Sequence, residues 1–289
     1  MSRKDFRSFR RKLRAEDFAL VNGPEAAPTD RVDRQTWRNL TSLQDDVSLR
    51  TSDHFGTRLK ACSVLWSGLV AVMCAIQDLN ADSALTINAM GVCDDLQSAL
   101  HNAMVGHYRI AFTSLRACIE NTAIAAMFDF GVAPIAFKDY TAESKLSFGN
   151  AADRLVGVTV IASLERRLLA DIGDNLLRQR SGTDPGGYAR RLFAKLSKYA
   201  HASPDHTDFD LWKSNGPVFD PKTYADWTEC YFAVGALSLL LSRLAAPDLS
   251  ALRFPMSNNA QALFQFAVEQ LSGNTDAKAI LAAIPAGIW

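Results

Sequence analysis

Arg190-Arg-Leu-Phe-Ala-Lys-Leu-Ser-Lys-Tyr-Ala-His201-Ala-Ser-Pro204 is the stretch from which the fold is read. At about 3.6 residues per turn, Arg190, Ala194, Ser197 and His201 share one face of a helix. Leu192, Leu196 and Tyr199 take another face and point toward a core. Pro204 disfavours helical geometry at Ser203, so the spacing predicts a helix end near Ala202, with His201 in the last turn. An imidazole there meets the negative end of the helix dipole, which favours its protonated form.

The same period governs the rest of the chain. Strand-like patterning is scarce, and Val156–Ile161 is the only run of β-branched residues longer than a few positions. Long helices are expected over residues 55–79, 83–104, 107–128 and 134–155, with Ser83 or Asp82 capping the second and Gly106 marking a bend. A shorter helix is expected over 162–177. Ser181-Gly-Thr-Asp-Pro-Gly-Gly187 breaks the chain before the helix that ends at His201. Residues 203–221 form a long loop whose Phe209, Trp212, Val218 and Phe219 suit packing onto the body, and 223–244 forms a last long core helix. A basic N-terminal helix is expected near residues 3–20, a polar helix or loop near 34–49, and two short helices near 259–271 and 276–283. The fold class is therefore all-α: an antiparallel helix bundle at 51–250, with extra N-terminal (1–50) and C-terminal (251–289) helical extensions.

A second polar line lies upstream. Arg109, Thr113, Arg116 and Glu120 fall within about 60° of arc on one helix, beside the apolar stripe of Tyr108, Phe112, Leu115 and Ile119. The polar line therefore borders the core rather than facing open water. Arg116 and Glu120 are also an i,i+4 pair.

These two helices carry a resemblance. Phe112-Thr-Ser-Leu-Arg116-Ala-Cys-Ile-Glu120-Asn121, set beside a helix closing on Leu196-Ser-Lys-Tyr-Ala-His201, resembles the core of the HEPN-like helical superfamily. That superfamily is common among bacterial toxins and defence proteins, and the likeness covers roughly residues 55–244. It implies a HEPN-like bundle, a homodimer formed along this face, and His201, Arg116, Glu120 and Arg109 as the candidate catalytic residues. One feature departs from the pattern. Ribonuclease members carry an arginine, four to six residues and then the histidine. Here Lys195 occupies that spacing but points about 120° away from His201, and Arg190 shares its face but lies about 16 Å along the axis. Arg109 or Arg116 would have to substitute from the partner helix. The expectation is a bacterial defence or toxin-type protein acting mainly as a dimerising interaction or sensing module. The alternative is a metal-independent ribonuclease effector using His201 with Arg116 or Arg109. The same residues also suit a plain buried polar network joining two helices.

Composition bounds the other readings. The chain has 289 residues, 48% of them apolar, and a mean hydropathy close to zero, which suits a globular body with a sizeable core. The net charge is zero but unevenly spread. Residues 1–14 carry seven basic side chains against Asp5, leaving about −6 on the rest. Arg7, Arg10, Arg11 and Arg14 there, with Arg190, are the candidate contacts to RNA phosphates. The segment equally suits docking on the acidic body, on a partner protein or on an anionic surface. Five cysteines lie in apolar helical stretches without a C-x-x-C pair, which reads as buried reduced thiols. The charged N-terminus lacks the apolar run of a secretory leader, so the expectation is cytoplasmic. The apolar runs 61–76 and 230–242 fall short of the roughly 20 residues of a membrane span and read as core helices. His201-Ala-Ser-Pro-Asp205-His206-Thr-Asp208-Phe-Asp210 gathers imidazoles and carboxylates but matches no zinc or calcium spacing, so no metal is expected. His101 and His107 are six apart and read as ordinary. G-x-G-x-x-G, P-loop, G-x-S-x-G and H-E-x-x-H motifs are missing, and no cofactor is expected.

Overall fold

The computed structural model describes residues 34–80, 82–140, 144–173, 175–179, 186–200 and 217–246. They divide into two compact units, Met1–Leu43 and Gln44–Trp289. Of the first, residues 34–43 are described, and they are helical. The expected helices near 3–20, 259–271 and 276–283 lie outside the described residues. Among the described residues about 80% are helical and none is in a strand, so the fold is all-α.

Among the described residues seven α-helices follow in order: α1 (Arg34–Leu79), α2 (Ala84–Met104), α3 (Tyr108–Asp129), α4 (Phe148–Leu155), α5 (Thr159–Ile172), α6 (Tyr188–Ala200) and α7 (Pro221–Ala245). A 3₁₀ turn at Phe137–Asp139 stands between α3 and α4. Helix α1 is interrupted at Phe55, whose φ of −128° and ψ of 20° leave helical geometry, and this break falls where the sequence changes from polar to apolar. Beyond it Cys62, Leu65, Leu69, Val72, Met73 and Ile76 recur at helical spacing and are buried. Ser63, Ser67 and Cys74 share the outer face of the same helix and are exposed.

Helix α2 begins where the sequence places it. Ser83 is its N-cap and accepts from the Thr86 N–H. The Asp129 carboxylate, at the end of α3, accepts from Ser83 Oγ at 2.6 Å, Ala84 N at 2.6 Å and Leu85 N at 3.1 Å. One carboxylate thus satisfies two orphan donors, sits at the positive end of the α2 dipole and ties the far ends of the α2–α3 pair together. Helix α3 is the centre. It packs most extensively on α2 and also on α7, α6 and α4. Its residues from Thr122 to Met127 are buried on all sides, as a helix covered all round must be. Helix α7 is capped by Asp220 with Pro221 in its first turn and is buried from Cys230 to Arg243. It meets α1 where Tyr231 Oη donates to the Cys62 carbonyl at 3.2 Å and where the Leu65 side chain lies against Gly235.

The apolar runs expected to fall short of a span lie within longer apolar helices. Thr41–Asp78 and Pro221–Ala245 are long and apolar enough to cross a membrane, yet 50% and 83% of their most apolar windows is buried inside the molecule.

The structure differs from the sequence reading at four places. In place of the helix expected over 134–155, the described residues hold a 3₁₀ turn and then α4. Phe137 and Tyr140 pack on Phe128, with ring centroids 5.1 and 5.3 Å away, and Ser147 starts a new helix by accepting from the Asn150 N–H. The strand-like run at Val156–Ile161 is a turn and the start of α5, because no other strand is present among the described residues to pair with it. Helix α5 then stops at Ile172 rather than 177, with Gly173 in the left-handed conformation at φ 71°. The cysteines were read as uniformly buried, but Cys74 is exposed and Cys93 half-buried. Both lie in apolar runs, and helical rotation alone brings Cys74 outside. Burial pushes the Cys118 thiol up to about 12 and the Cys93 thiol up to about 11.

Gly187 opens α6 where its chain passes the loop before it, and a Cβ there would stand 2.4 Å from the Asn175 carbonyl oxygen. Gly91 lies on an exposed face of α2 with nothing within 4 Å of the same added atom. Gly187→Ala is therefore expected to destabilise the protein by about 1–3 kcal/mol. Gly91→Ala should stabilise it by about 0.5–1 kcal/mol through helix propensity. Urea unfolding of the two variants checks both signs, and equal effects would contradict the packing at the α6 entrance.

Candidate functional site

The polar line on α3 is half-buried at both ends and exposed at Thr113 between them. Arg109 is half-buried and engaged with neighbours. Thr113 is exposed and returns its hydroxyl to the Arg109 carbonyl at 2.9 Å. Arg116 and Glu120 sit deeper, their side chains 26% and 21% exposed.

Arg116 joins α3 to α6. Its Nε donates to Ser197 Oγ at 3.1 Å, and its guanidinium carbon stands 4.8 Å from the centre of the Phe193 ring. Ser197 in turn donates to the Phe193 carbonyl at 2.8 Å. Arg116 also approaches Glu120 Oε2 at 3.6 Å. Glu120 extends the network to α4, where its Oε1 accepts the Phe148 N–H at 3.2 Å. A carboxylate at the first residues of α4 is favoured by the unsatisfied amides there. Phe148 closes the circuit by stacking on Phe193 at 4.5 Å and 16°. Alongside, Phe112 of α3 stacks on Tyr199 of α6 at 3.9 Å and 9°.

The sequence explains why these groups meet. Ser197 and Phe193 are four apart on α6, and Arg116 and Glu120 are four apart on α3, so each pair presents one face to the other helix. A planar guanidinium uses its edge on a hydroxyl and carboxylate and its face on a ring, which a lysine ammonium does not reproduce. The resulting cation is neutralised, half-desolvated and fixed. It holds three helices together, and its outward charge for a phosphate is reduced by Glu120.

The structure brings Arg116 and Glu120 together and leaves Arg109 two turns away along α3. His201, Arg7, Arg10, Arg11 and Arg14 lie outside the described residues, as does the 201–210 run read for metal ligands. Arg190 is described, and its guanidinium is engaged within the molecule. It is 12% exposed, its Nε donates to the Leu177 carbonyl, and its terminal nitrogen pairs with Asp153. It pins the α5–α6 loop to the bundle. Sequence reasoning passed over its companion, Glu165, which is 1% exposed. Glu165 accepts the Leu176 and Leu177 amides at 2.8 and 2.6 Å. A single acid inside an apolar helix face, Leu164-Glu165 before Leu168, was the available signal. Among the described residues no group of three or more His, Cys, Asp or Glu is gathered as a metal site.

No family model, curated protein or solved structure matches this chain.

His107 stands at the turn into α3, and its Nε2 lies 3.2 Å from Gln44 Nε2. The amide nitrogen can only donate, so the ring nitrogen accepts and the imidazole is neutral there. Burial, and then the nearby His101, holds its pKa below the ordinary value. A depressed base makes the unfolded chain bind more protons, so this group lowers stability as pH falls from about 6.5 through its folded value. An NMR titration should place the His107 midpoint below that of a free imidazole. A midpoint at or above it would contradict the neutral, amide-bonded ring.

Proposed function

We propose that this chain is a HEPN-like helical module of a bacterial defence or toxin-type system, and that it works by binding, as a dimerising interaction or sensing protein. The observation that carries the choice of binding over chemistry is the engagement of Arg116. Its guanidinium is shared among Ser197, Glu120 and the Phe193 ring, so a cation that would have to replace the missing ribonuclease arginine already serves the packing of α3, α4 and α6. A charged hydrogen bond contributes about 1.5–3 kcal/mol and a partly desolvated cation–π contact about 0.5–2 kcal/mol, so releasing Arg116 to a substrate costs more than a surface arginine would.

The alternative, a metal-independent ribonuclease using His201 with Arg116 or Arg109, draws support from one feature. Helix α6 is described as far as Ala200, the residue before His201 in the sequence, and Arg116 reaches Ser197 on that same helix. On the binding reading, Arg116→Ala lowers stability by about 1–3 kcal/mol because it strands Glu120 and Ser197. Arg116→Lys recovers little of that loss. His201→Ala leaves any effect on RNA unchanged. Urea unfolding, light scattering for the dimer and an RNA cleavage assay read these outcomes together. An Arg116→Ala protein of wild-type stability that has lost RNA cleavage, with His201→Ala matching it, would overturn the proposal in favour of the nuclease.

A further inference from the structure

Helices α6 and α7 diverge around a cleft of about 250 Å³. Arg191, Leu192 and Lys195 line it from α6, and Glu229, Cys230 and Ala233 line it from α7. This is a different face of α6 from the one that meets Arg116. Phe193 and Ser197 lie about 200–240° around the helix from Arg191, whereas Lys195 lies about 40° from it.

The walls are chemically unlike. Arg191 and Lys195 are an i,i+4 pair of cations whose Cβ atoms stand roughly 6 Å apart on one wall. The Arg191 guanidinium is held in place by donating to the Gly186 carbonyl at 2.7 Å. The Lys195 ammonium reaches the Cys230 thiol at the floor. Burial raises that thiol's pKa, so it remains an uncharged thiol and adds no nucleophile to the cleft. Leu192, Cys230 and Ala233 are 7%, 2% and 1% exposed and make the base of the cleft apolar. The opposite wall carries one carboxylate, Glu229, whose Oε2 is shut from solvent and has no hydrogen-bond partner among the described residues. A buried carboxylate oxygen without a donor is costly. Glu229 itself lines the cleft, so its carboxylate is the group there with which an ammonium would pair.

A simple anion suits the cation pair and is repelled by Glu229. A simple amine suits Glu229 and is repelled by the cation pair. A molecule with both charges and a short apolar body satisfies all three surfaces. We propose that this cleft binds a small zwitterion of the aliphatic α-amino-acid type, its carboxylate between Arg191 and Lys195, its ammonium against Glu229 and its side chain over Leu192 and Ala233. The volume accommodates a ligand of this size and lies below that of typical drug-sized pockets. The ligand gives a sensing module something to sense, but the cleft's chemistry does not depend on the Arg116 network.

The test is calorimetric titration of the full chain with L-leucine and with its two half-ligands, isocaproate, which lacks the ammonium, and isoamylamine, which lacks the carboxylate. Leucine is expected to bind at least about tenfold more tightly than either. Glu229→Gln, nearly isosteric, should weaken leucine at least about tenfold and leave isocaproate unchanged or slightly improved. Lys195→Met should weaken leucine and isocaproate together. Each variant's thermal melt shows that it is folded, and Arg116→Lys serves as a control that leaves leucine binding intact whatever becomes of the proposed function. Absence of leucine binding up to about 10 mM, well above the millimolar range of weak sites, would overturn the proposal. So would isocaproate binding as tightly as leucine, or a folded Glu229→Gln protein with undiminished leucine affinity.

Discussion

Everything described in this bundle depends on covering α3. Residues Thr122–Met127 of that helix have no solvent face, so α2, α7, α6 and α4 must each bring an apolar surface to it. Apolar burial stabilises by about 25 cal/mol per Å², which makes this shared interface the main favourable term. The polar groups at its borders then decide how the helices are registered. Asp129 fixes the α2–α3 pair at one end. Near the middle of α3, Arg116 and Glu120 fix α6 and α4. Each is placed where a neighbouring helix begins or crosses, so each satisfies donors that packing alone would leave exposed or stranded.

The long helices were legible in the sequence because their apolar spacing is regular and their ends carry strong signals. Ser83 and the Gly186-Gly187 break mark starts, and α2, α3, the start of α6 and α7 lie within a few residues of where the periodicity puts them. The stretch 134–155 was not legible. Its helical pattern is overridden by the packing of Phe137 and Tyr140 on Phe128, a tertiary contact that no local spacing encodes. Val156–Ile161, the one run with strand-like composition, forms no strand for a related reason. β-branched residues favour strands only where a partner strand exists, and here the run sits between two helices.

The candidate site was half legible. Helical rotation was enough to place Arg116 and Glu120 on one line beside an apolar stripe, and the structure brings both to the joint of three helices. What rotation could not give was the partner side. Ser197 and Phe193 are ordinary residues in sequence, and their importance appears only when α6 lies against α3. Arg190 shows the converse. Its basic neighbourhood suggested a phosphate contact, yet Asp153, 37 residues away, and the Leu177 carbonyl claim the guanidinium. Charge patterning reads net sign well but does not show which cations are already engaged.

The central claim is that Arg116 is a structural joint whose energy is shared with α6. A double-mutant cycle between Arg116→Ala and Ser197→Ala, read by urea unfolding, tests it most directly. The account requires a coupling of about 0.5–3 kcal/mol, because each single change strands the other partner and the double change does not. Strictly additive effects, or single variants as stable as the parent, would contradict it.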